Sequence, residues 1–369
     1  MRRSLVAFTG GGTAGHVVPG LAVAEAVEET GLSTVWIGGT GGMERRLVRG
    51  RMPFYGVPVG KLRRYLSREN VMDVFRVLAG ILRARKLLRR LRPVVLFSKG
   101  GFASVPAVVA SWSLSVPVIA HESDSDPGLA TRIAARFASV VAVPYESTVT
   151  HFPQRMRRRV VVSGNPVRSD LLRADRERGR TTVGLPPVAE RPLVLFLGGS
   201  QGARQINEAL GAVLPQLLER CDVVHQTGAG HAALTPPAAS GTYVARTYIS
   251  EGMADVIAAA DIVVCRAGAA TLWENANLAR PMILIPLIAG SRGDQIRNAR
   301  RFASAAAALM LTEVDTLAAD LSAAIALLLS DAEASARMGE RARELVRPDA
   351  TARLAAIVRR YAVQERRGR

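Results

Sequence analysis

Along the chain, short continuous apolar runs alternate with stretches whose apolar positions recur at helical spacing. The runs Ser4–Thr9, Thr34–Ile37, Val94–Phe97, Val116–Ala120 and Val140–Val143 predict strands buried on both faces. The first ends in Gly10-Gly11-Gly12, and a helix is predicted from Pro19 to Glu29. The pattern then starts afresh, with Leu193–Leu197, Gly198-Gly199 and a helix from Ala203. Further strands are expected at Asp222–His225, Asp261–Val264 and Met282–Ile285. Such alternation predicts α/β architecture, with two doubly wound parallel sheets joined near Ser163–Pro166. Each unit exposes loops at the carboxyl ends of its strands, and two such loop sets facing each other predict a cleft. After Pro348, the tail Asp349–Val363 reads as a helix.

Length agrees with this division, since 369 residues suffice for two cores of ordinary size. No apolar run has the length of a spanning helix. The opening Met1-Arg2-Arg3 before Leu5-Val6-Ala7-Phe8 mimics a signal peptide, but it runs straight into a glycine loop and reads as a first strand. Cys221 and Cys265 stand far apart without metal-ligand spacing, which argues for a reducing compartment and against a zinc site or a disulfide scaffold. The net charge of +18 attracts nucleic acid, anionic lipid or phosphorylated substrates, and arginine-rich composition accounts for part of it. The basic residues lack an aromatic platform or a readable helix motif, so nucleic acid is not expected as a partner.

The loop Thr9-Gly10-Gly11-Gly12-Thr13-Ala14-Gly15-His16 combines flexible glycines with a helix N-terminus, a combination suited to an anion. Gly10, Gly12 and Gly15 keep dinucleotide-type spacing, yet the second strand ends in Gly38-Gly39-Thr40 with no carboxylate for a ribose. Leu197-Gly198-Gly199-Ser200-Gln201-Gly202-Ala203 opens the second unit in the same way, with Ser200 able to donate to a phosphate. One such loop per unit suggests a nucleotide diphosphate on one side and a phosphorylated acceptor on the other. Ser98-Lys99-Gly100-Gly101-Phe102 adds donors and an aromatic face that suits a sugar ring or the core equally. In Arg266-Ala267-Gly268-Ala269-Ala270-Thr271-Leu272-Trp273-Glu274, small residues let a ligand lie on the backbone. Glu274 is placed either to accept from ribose hydroxyls or to face solvent. Asp294-Gln295 suits sugar hydroxyls, although Asp294 also fits a plain N-cap.

Taken in order, these loops resemble those of the MurG family. With His121-Glu122-Ser123-Asp124, Pro127-Gly128-Leu129, Gly164-Asn165-Pro166-Val167-Arg168 and Asn298-Ala299, the resemblance spans nearly the whole chain. It implies the GT-B architecture of two Rossmann-like domains. Residues 1–164 would bind acceptor and membrane, 165–346 would bind UDP-N-acetylglucosamine, and a C-terminal helix at 347–369 would pack back on the first domain. It implies that N-acetylglucosamine passes from UDP to undecaprenyl-pyrophosphoryl-muramoyl-pentapeptide, at the cytoplasmic face of the membrane and peripheral to it. By the same resemblance, Ile249 backbone groups hold the uracil and Glu274 the ribose. Ser200 and Arg168 bind the diphosphate, Ala269, Ala270 and Thr271 line the nucleotide, and Gln295, Asp124 and Thr13-Ala14-Gly15 address the transferred sugar. The chain departs from the family at Ala14, where a second glycine is common, at Asp124, where some members carry asparagine, and at the bulky Trp273.

The reaction implied is an inverting displacement by the 4-hydroxyl of the muramoyl sugar. No cofactor or metal is expected, and Asp124-Ser125-Asp126 reads as a chance Asp-x-Asp. His16 is the candidate general base, because imidazole titrates near neutrality, and Asp124 is the alternative. Loop ordering is an equal reading of His16. Val71–Leu91 mixes Val74, Phe75, Leu78, Ile81 and Leu82 with Arg76, Arg83, Arg85, Lys86, Arg89 and Arg90. Such a helix lies on anionic lipid or packs its apolar side inward. A related UDP-sugar transferase with another acceptor and a non-catalytic nucleotide-sugar scaffold are the rival functions.

Overall fold

In the computed structural model, residues 4–60, 68–199, 201–236, 238–288 and 293–367 are described. The chain forms two compact units, Met1–Arg168 with Pro348–Arg369 and Ser169–Arg347. In the first unit the strands are β1 (Leu5–Thr9), β2 (Ser33–Gly39), β3 (Phe54–Val57), β4 (Val95–Ser98), β5 (Val118–His121), β6 (Val140–Val143) and β7 (Val160–Val162). Its helices are α1 (Ala14–Glu28), α2 (Glu44–Val48), α3 (Arg68–Leu91), α4 (Val105–Trp112), α5 (Leu129–Phe137), and the single turns α6 (Glu146–Val149) and α7 (Gln154–Arg157). The second unit contains β8 (Leu193–Leu197), β9 (Asp222–Gln226), β10 (Tyr243–Arg246), β11 (Ile262–Cys265), β12 (Met282–Leu284) and β13 (Leu309–Met310). Around them lie α8 (Arg176–Val183), α9 (Arg204–Leu218), α10 (Met253–Ala259), α11 (Ala269–Asn277), α12 (Asp294–Ser304), α13 (Leu317–Ser330) and α14 (Ala332–Glu344). The last helix, α15 (Ala350–Arg367), belongs to the first unit.

Both sheets are parallel throughout, in the orders β3-β2-β1-β4-β5-β6-β7 and β10-β9-β8-β11-β12-β13. Chain direction across each sheet reverses between its first strand and the strand beside it, β4 in one unit and β11 in the other. At such a switch point the connecting loops part and leave room for a ligand at the carboxyl edge. Both faces of the first sheet are covered. Leu96, Val118 and Val143 pack with Ala84 and Leu88 of α3 and Ala107 of α4. On the opposite face, Phe8, Phe97 and Ile119 meet Val17 and Leu21 of α1 together with Leu354 and Val358 of α15. Burying each of those α15 side chains contributes about 1.5–3 kcal/mol, which suffices to hold the helix on this unit. The Thr351 hydroxyl adds a local clasp, accepting from Val167 N at 3.1 Å and donating to its carbonyl at 3.0 Å.

Two expectations about elements change. The first helix begins at Ala14, five residues before Pro19, which lies inside it. A proline reads as a start signal because it lacks an N–H, but here it stands at the sixth helical position and leaves the Gly15 carbonyl without its i+4 donor. Four strands absent from the apolar pattern, β3, β7, β10 and β13, are half-buried for most of their length. Each lies at a sheet edge, where one side of the ladder is open; β3 and β10 are interrupted by Tyr, Gly or Arg, while β7 (Val-Val-Val) and β13 (Leu-Met) are apolar but too short to stand out.

Candidate functional site

In the first unit the switch point lies between β1 and β4, so the loops after these strands open side by side. After β1, Gly12 takes φ 90° and extended Thr13 caps α1. The Thr13 hydroxyl makes no bond to the helix N–H groups and instead lies 2.9 Å from His16 Nδ1. Beneath the loop, the buried Glu44 carboxylate accepts from Gly39 N at 2.7 Å and Gly12 N at 3.4 Å. A Cβ on Gly11 would stand 2.6 Å from that carboxylate, so glycine is required for the loop to close over it. Trp36 Nε1 donates to the Gly10 carbonyl at 3.2 Å. Ala14 is the first residue of α1 and has no positive φ, so the departure from glycine there carries no backbone strain.

After β4, Gly100 and Gly101 take φ 88° and 77°. A Cβ on Gly101 would come within 2.1 Å of the Gly11 carbonyl oxygen and 3.2 Å of His16 Nδ1, so the two loops touch because this position has no side chain. The half-buried ring of Phe102 rests against Gly12, on the glycine loop rather than in the core. After β5, His121 Nε2 donates to the Gly164 carbonyl at 3.0 Å. Glu122 accepts from Ser123 N at 2.7 Å, Asp124 N at 3.0 Å and Gly128 N at 2.9 Å, and thereby shapes the turn that carries Asp124. Asp124 itself is half-buried. Asp126 pairs with His151 Nε2 at 3.0 Å, which gives one carboxylate of the Asp-x-Asp a partner of its own.

Lys99 runs buried beneath these loops, and its Nζ donates to Ser123 Oγ. Burial pulls its pKa down to about 8, against the raising influence of the Glu122 and Asp124 carboxylates. Burial and then the Lys99 charge push the half-buried His16 down to about 4. The same two causes, in the same order, hold His121 well below the ordinary histidine range. The imidazoles are therefore neutral around pH 7. Thr13, Ala14, Gly15, His16 and Phe102 gather at one loop pair, and Lys99 links them to the turn of Asp124.

In the second unit the switch point lies between β8 and β11. Gly199 and Gly202, either side of Ser200, take φ 77° and 79°, while Ser200 falls outside the described residues. Ile249 N donates to Gln226 Oε1 at 3.0 Å, so the end of β9 positions the Ile249 backbone. Ala269, Ala270 and Thr271 form the half-buried first turn of α11, and Glu274 is buried one turn further on. Arg266 Nη1 donates at 2.9 Å both to Gln205 Oε1 on α9 and to the Ile285 carbonyl after β12. It thus ties three loops of the carboxyl edge together. Gln295 Oε1 accepts from Leu287 N at 2.9 Å, and Asn298 Nδ2 donates to the Ala267 carbonyl at 3.3 Å. Asp294 pairs with Arg297, one turn along α12. Trp273, fully buried, is a core residue of this unit. Arg168 is the half-buried last residue of the N-terminal segment of the first unit.

Roles for Glu44, Lys99, Gln226 and Arg266 were not read from the sequence. Lys99 and Arg266 stood in loops already singled out, whereas nothing local marked Glu44 or Gln226. Among the described residues no three His, Cys, Asp or Glu side chains are placed to hold a metal ion, and no helix is long and apolar enough to cross a membrane.

The chain matches the glycosyltransferase family 28 N-terminal domain over residues 6–143 and the family's C-terminal domain over residues 193–354. A protein of Treponema pallidum named UDP-N-acetylglucosamine--N-acetylmuramyl-(pentapeptide) pyrophosphoryl-undecaprenol N-acetylglucosamine transferase is 44% identical over 320 residues, covering 84% of this chain and 83% of the relative. A protein of the same name from Lachnospira eligens is 41% identical over 330 residues, covering 88% and 91%. Among solved structures, that of Acinetobacter baumannii MurG aligns with a TM-score of 0.74 at 26% identity, covering 97% of this chain and 99% of that one.

Proposed function

This chain belongs to glycosyltransferase family 28, and we propose on that premise that it makes the disaccharide of a lipid-linked peptidoglycan precursor. The donor is UDP-N-acetylglucosamine and the acceptor undecaprenyl-pyrophosphoryl-muramoyl-pentapeptide. The observation that carries this reading is likeness over more than four-fifths of the chain to relatives named for that transfer.

The 4-hydroxyl oxygen of the muramoyl sugar attacks the anomeric carbon as the bond from that carbon to the UDP oxygen breaks, inverting the configuration. Neutral His16 accepts the hydroxyl proton. With Nδ1 donating to the Thr13 hydroxyl 2.9 Å away, Nε2 is left as the lone-pair acceptor. Asp124, a carboxylate on the turn built by Glu122, is the second candidate base. In the second unit, Ile249 backbone groups face uracil, Glu274 takes the ribose hydroxyls, and Ala269, Ala270 and Thr271 lie along the nucleotide. Ser200, the glycine loop and the N-terminus of α9 meet the diphosphate charge, joined by Arg168. Gln295 addresses the sugar hydroxyls.

The acceptor's lipid places the enzyme at the cytoplasmic face of the membrane, as a peripheral protein bound to anionic lipid and not to nucleic acid. Support comes from α3, which exposes Met72, Val74, Phe75, Leu78 and Leu82 while Ala84 and Leu88 pack inward. The deciding experiment incubates purified protein with radiolabelled UDP-N-acetylglucosamine and the lipid-pyrophosphoryl-muramoyl-pentapeptide. Expected is labelled lipid-disaccharide, with little product from UDP-glucose or UDP-N-acetylgalactosamine. No transfer, or equal transfer from UDP-glucose, would sink this reading.

A further inference from the structure

Lysine is scarce here: Lys61, Lys86 and Lys99 are the lysines among 49 cationic residues, and the rest are arginine. Lys99 is only 1% exposed. Its backbone N–H donates to the Thr9 carbonyl at 2.8 Å, which fixes the residue at the end of β4 beside the root of the first glycine loop. A Cβ on Gly10 would meet both the Lys99 Cβ and the His16 carbonyl oxygen at 3.1 Å, so the lysine stem and the start of α1 flank one spot. Its Nζ reaches across to Ser123 Oγ in the turn after β5. A buried ammonium is costly and persists only where nearby groups reward it.

We propose that Lys99 is a positioning residue for sugar transfer: its ammonium ties the Ser123–Asp124 turn to the His16 loop and sets the electrostatic field at both. The inference rests on the transfer reaction proposed above. Too buried to touch a substrate, Lys99 acts through its neighbours. The charged and titratable groups around it are His16 on α1, His121 at the end of β5, and Glu122 and Asp124 just beyond. Glu44 of α2 accepts from Gly12 N in the same glycine loop. The positive charge adds to burial in keeping protons off His16 and His121. His16 is therefore held in its unprotonated form before the acceptor hydroxyl arrives.

The test is Lys99→Met, close in shape and without charge, with Lys99→Arg as the charge-keeping control. Histidine-selective NMR, assigned with His16→Gln, follows the His16 ring against pH without any turnover. In Lys99→Met the His16 midpoint should rise by about one pH unit, since the repulsion of the ammonium is gone while burial still holds the imidazole down. The acidic limb of the pH–rate profile should move the same way, with neutral-pH turnover at least tenfold lower and UDP affinity unchanged. Lys99→Arg should keep the limb near its wild-type position. An unmoved His16 midpoint overturns the proposal, as does a loss of turnover that leaves the limb in place, because a merely structural lysine would do that. If Lys99→Met does not fold, Ser123→Ala takes its place. It removes the tether and keeps the charge, so turnover should fall with the His16 midpoint unmoved, and wild-type turnover in this variant counts against the proposal. Should the protein transfer no sugar at all, the NMR midpoint still reads the field by itself.

Discussion

His16 carries the sharpest residue-level expectation, because its protonation and its contacts point the same way. A base needed only for the chemical step affects turnover far more than UDP binding. His16→Ala should cost roughly a hundredfold or more in turnover, with UDP affinity unchanged. Because the imidazole is held down to about 4, the wild-type acid limb should lie below the ordinary histidine range, and the variant should lose it. A parallel fall in UDP affinity would make His16 a loop-ordering residue, as its Thr13 contact also permits. Glu274 carries the matching expectation for the donor side. Buried on the second turn of α11, it should bind ribose through charge-assisted bonds. Glu274→Ala should weaken UDP binding by about 1.5–3 kcal/mol, roughly tenfold to a hundredfold. Calorimetry that finds equal affinity takes Glu274 out of the site.

Helix α3 divides along its length as well as around its circumference. Asp73, Ala84 and Leu88 are buried against the first unit, while Phe75 at 64% and Leu82 at 70% exposure point outward. The inward-packing alternative thus holds for Ala84 and Leu88 and fails for Met72, Val74, Phe75, Leu78 and Leu82. The basic residues crowd the C-terminal half, where Arg83, Lys86, Arg89 and Arg90 are exposed. An outward apolar face beside a cluster of cations fits headgroups and the outer acyl region together, each cation near an anionic surface contributing about 1 kcal/mol. Reversing Arg83, Arg85 and Arg89 to glutamate should sharply reduce co-sedimentation with phosphatidylglycerol-containing liposomes, with UDP binding in solution intact. Undiminished sedimentation of that variant would move the lipid contact to another surface.

For the whole molecule, the neutral buried imidazoles make a statement about stability. His16, His121 and His225 are all held below the ordinary histidine value, with burial the largest cause in each case. Between about pH 6.5, where unfolded histidine titrates, and pH 4, the unfolded chain binds protons that the native state refuses. The stability they contribute is present above that window and lost as pH falls through it. Each histidine adds a slope of up to ~1.4 kcal/mol per pH unit. The thermal unfolding midpoint should therefore fall between pH 7 and pH 5. Equal midpoints at the two values would mean that these imidazoles are already protonated in the folded protein.

The alternation of apolar runs and helical stretches, the restart at Leu193 and the glycine loops after the first strand of each unit were all legible in the sequence. These features follow from local rules, since strand and helix periods and the need for glycine at positive φ act over a few neighbouring residues. Gly12, Gly100, Gly101, Gly199 and Gly202 do take positive φ. The edge strands were hidden because β3 and β10 carry Tyr, Gly or Arg in a half-buried ladder, and β7 and β13 are apolar for only two or three residues. No local pattern revealed which side of α3 faces out, why Trp273 is large, or that Glu44 sits beneath the first loop. Least visible was Lys99, one residue of a glycine loop until the parallel order β1-β4-β5 sets it against Ser123 and beside His16. Burial and electric field arise from groups distant in sequence, so they exist only once the sheet order has brought those groups together.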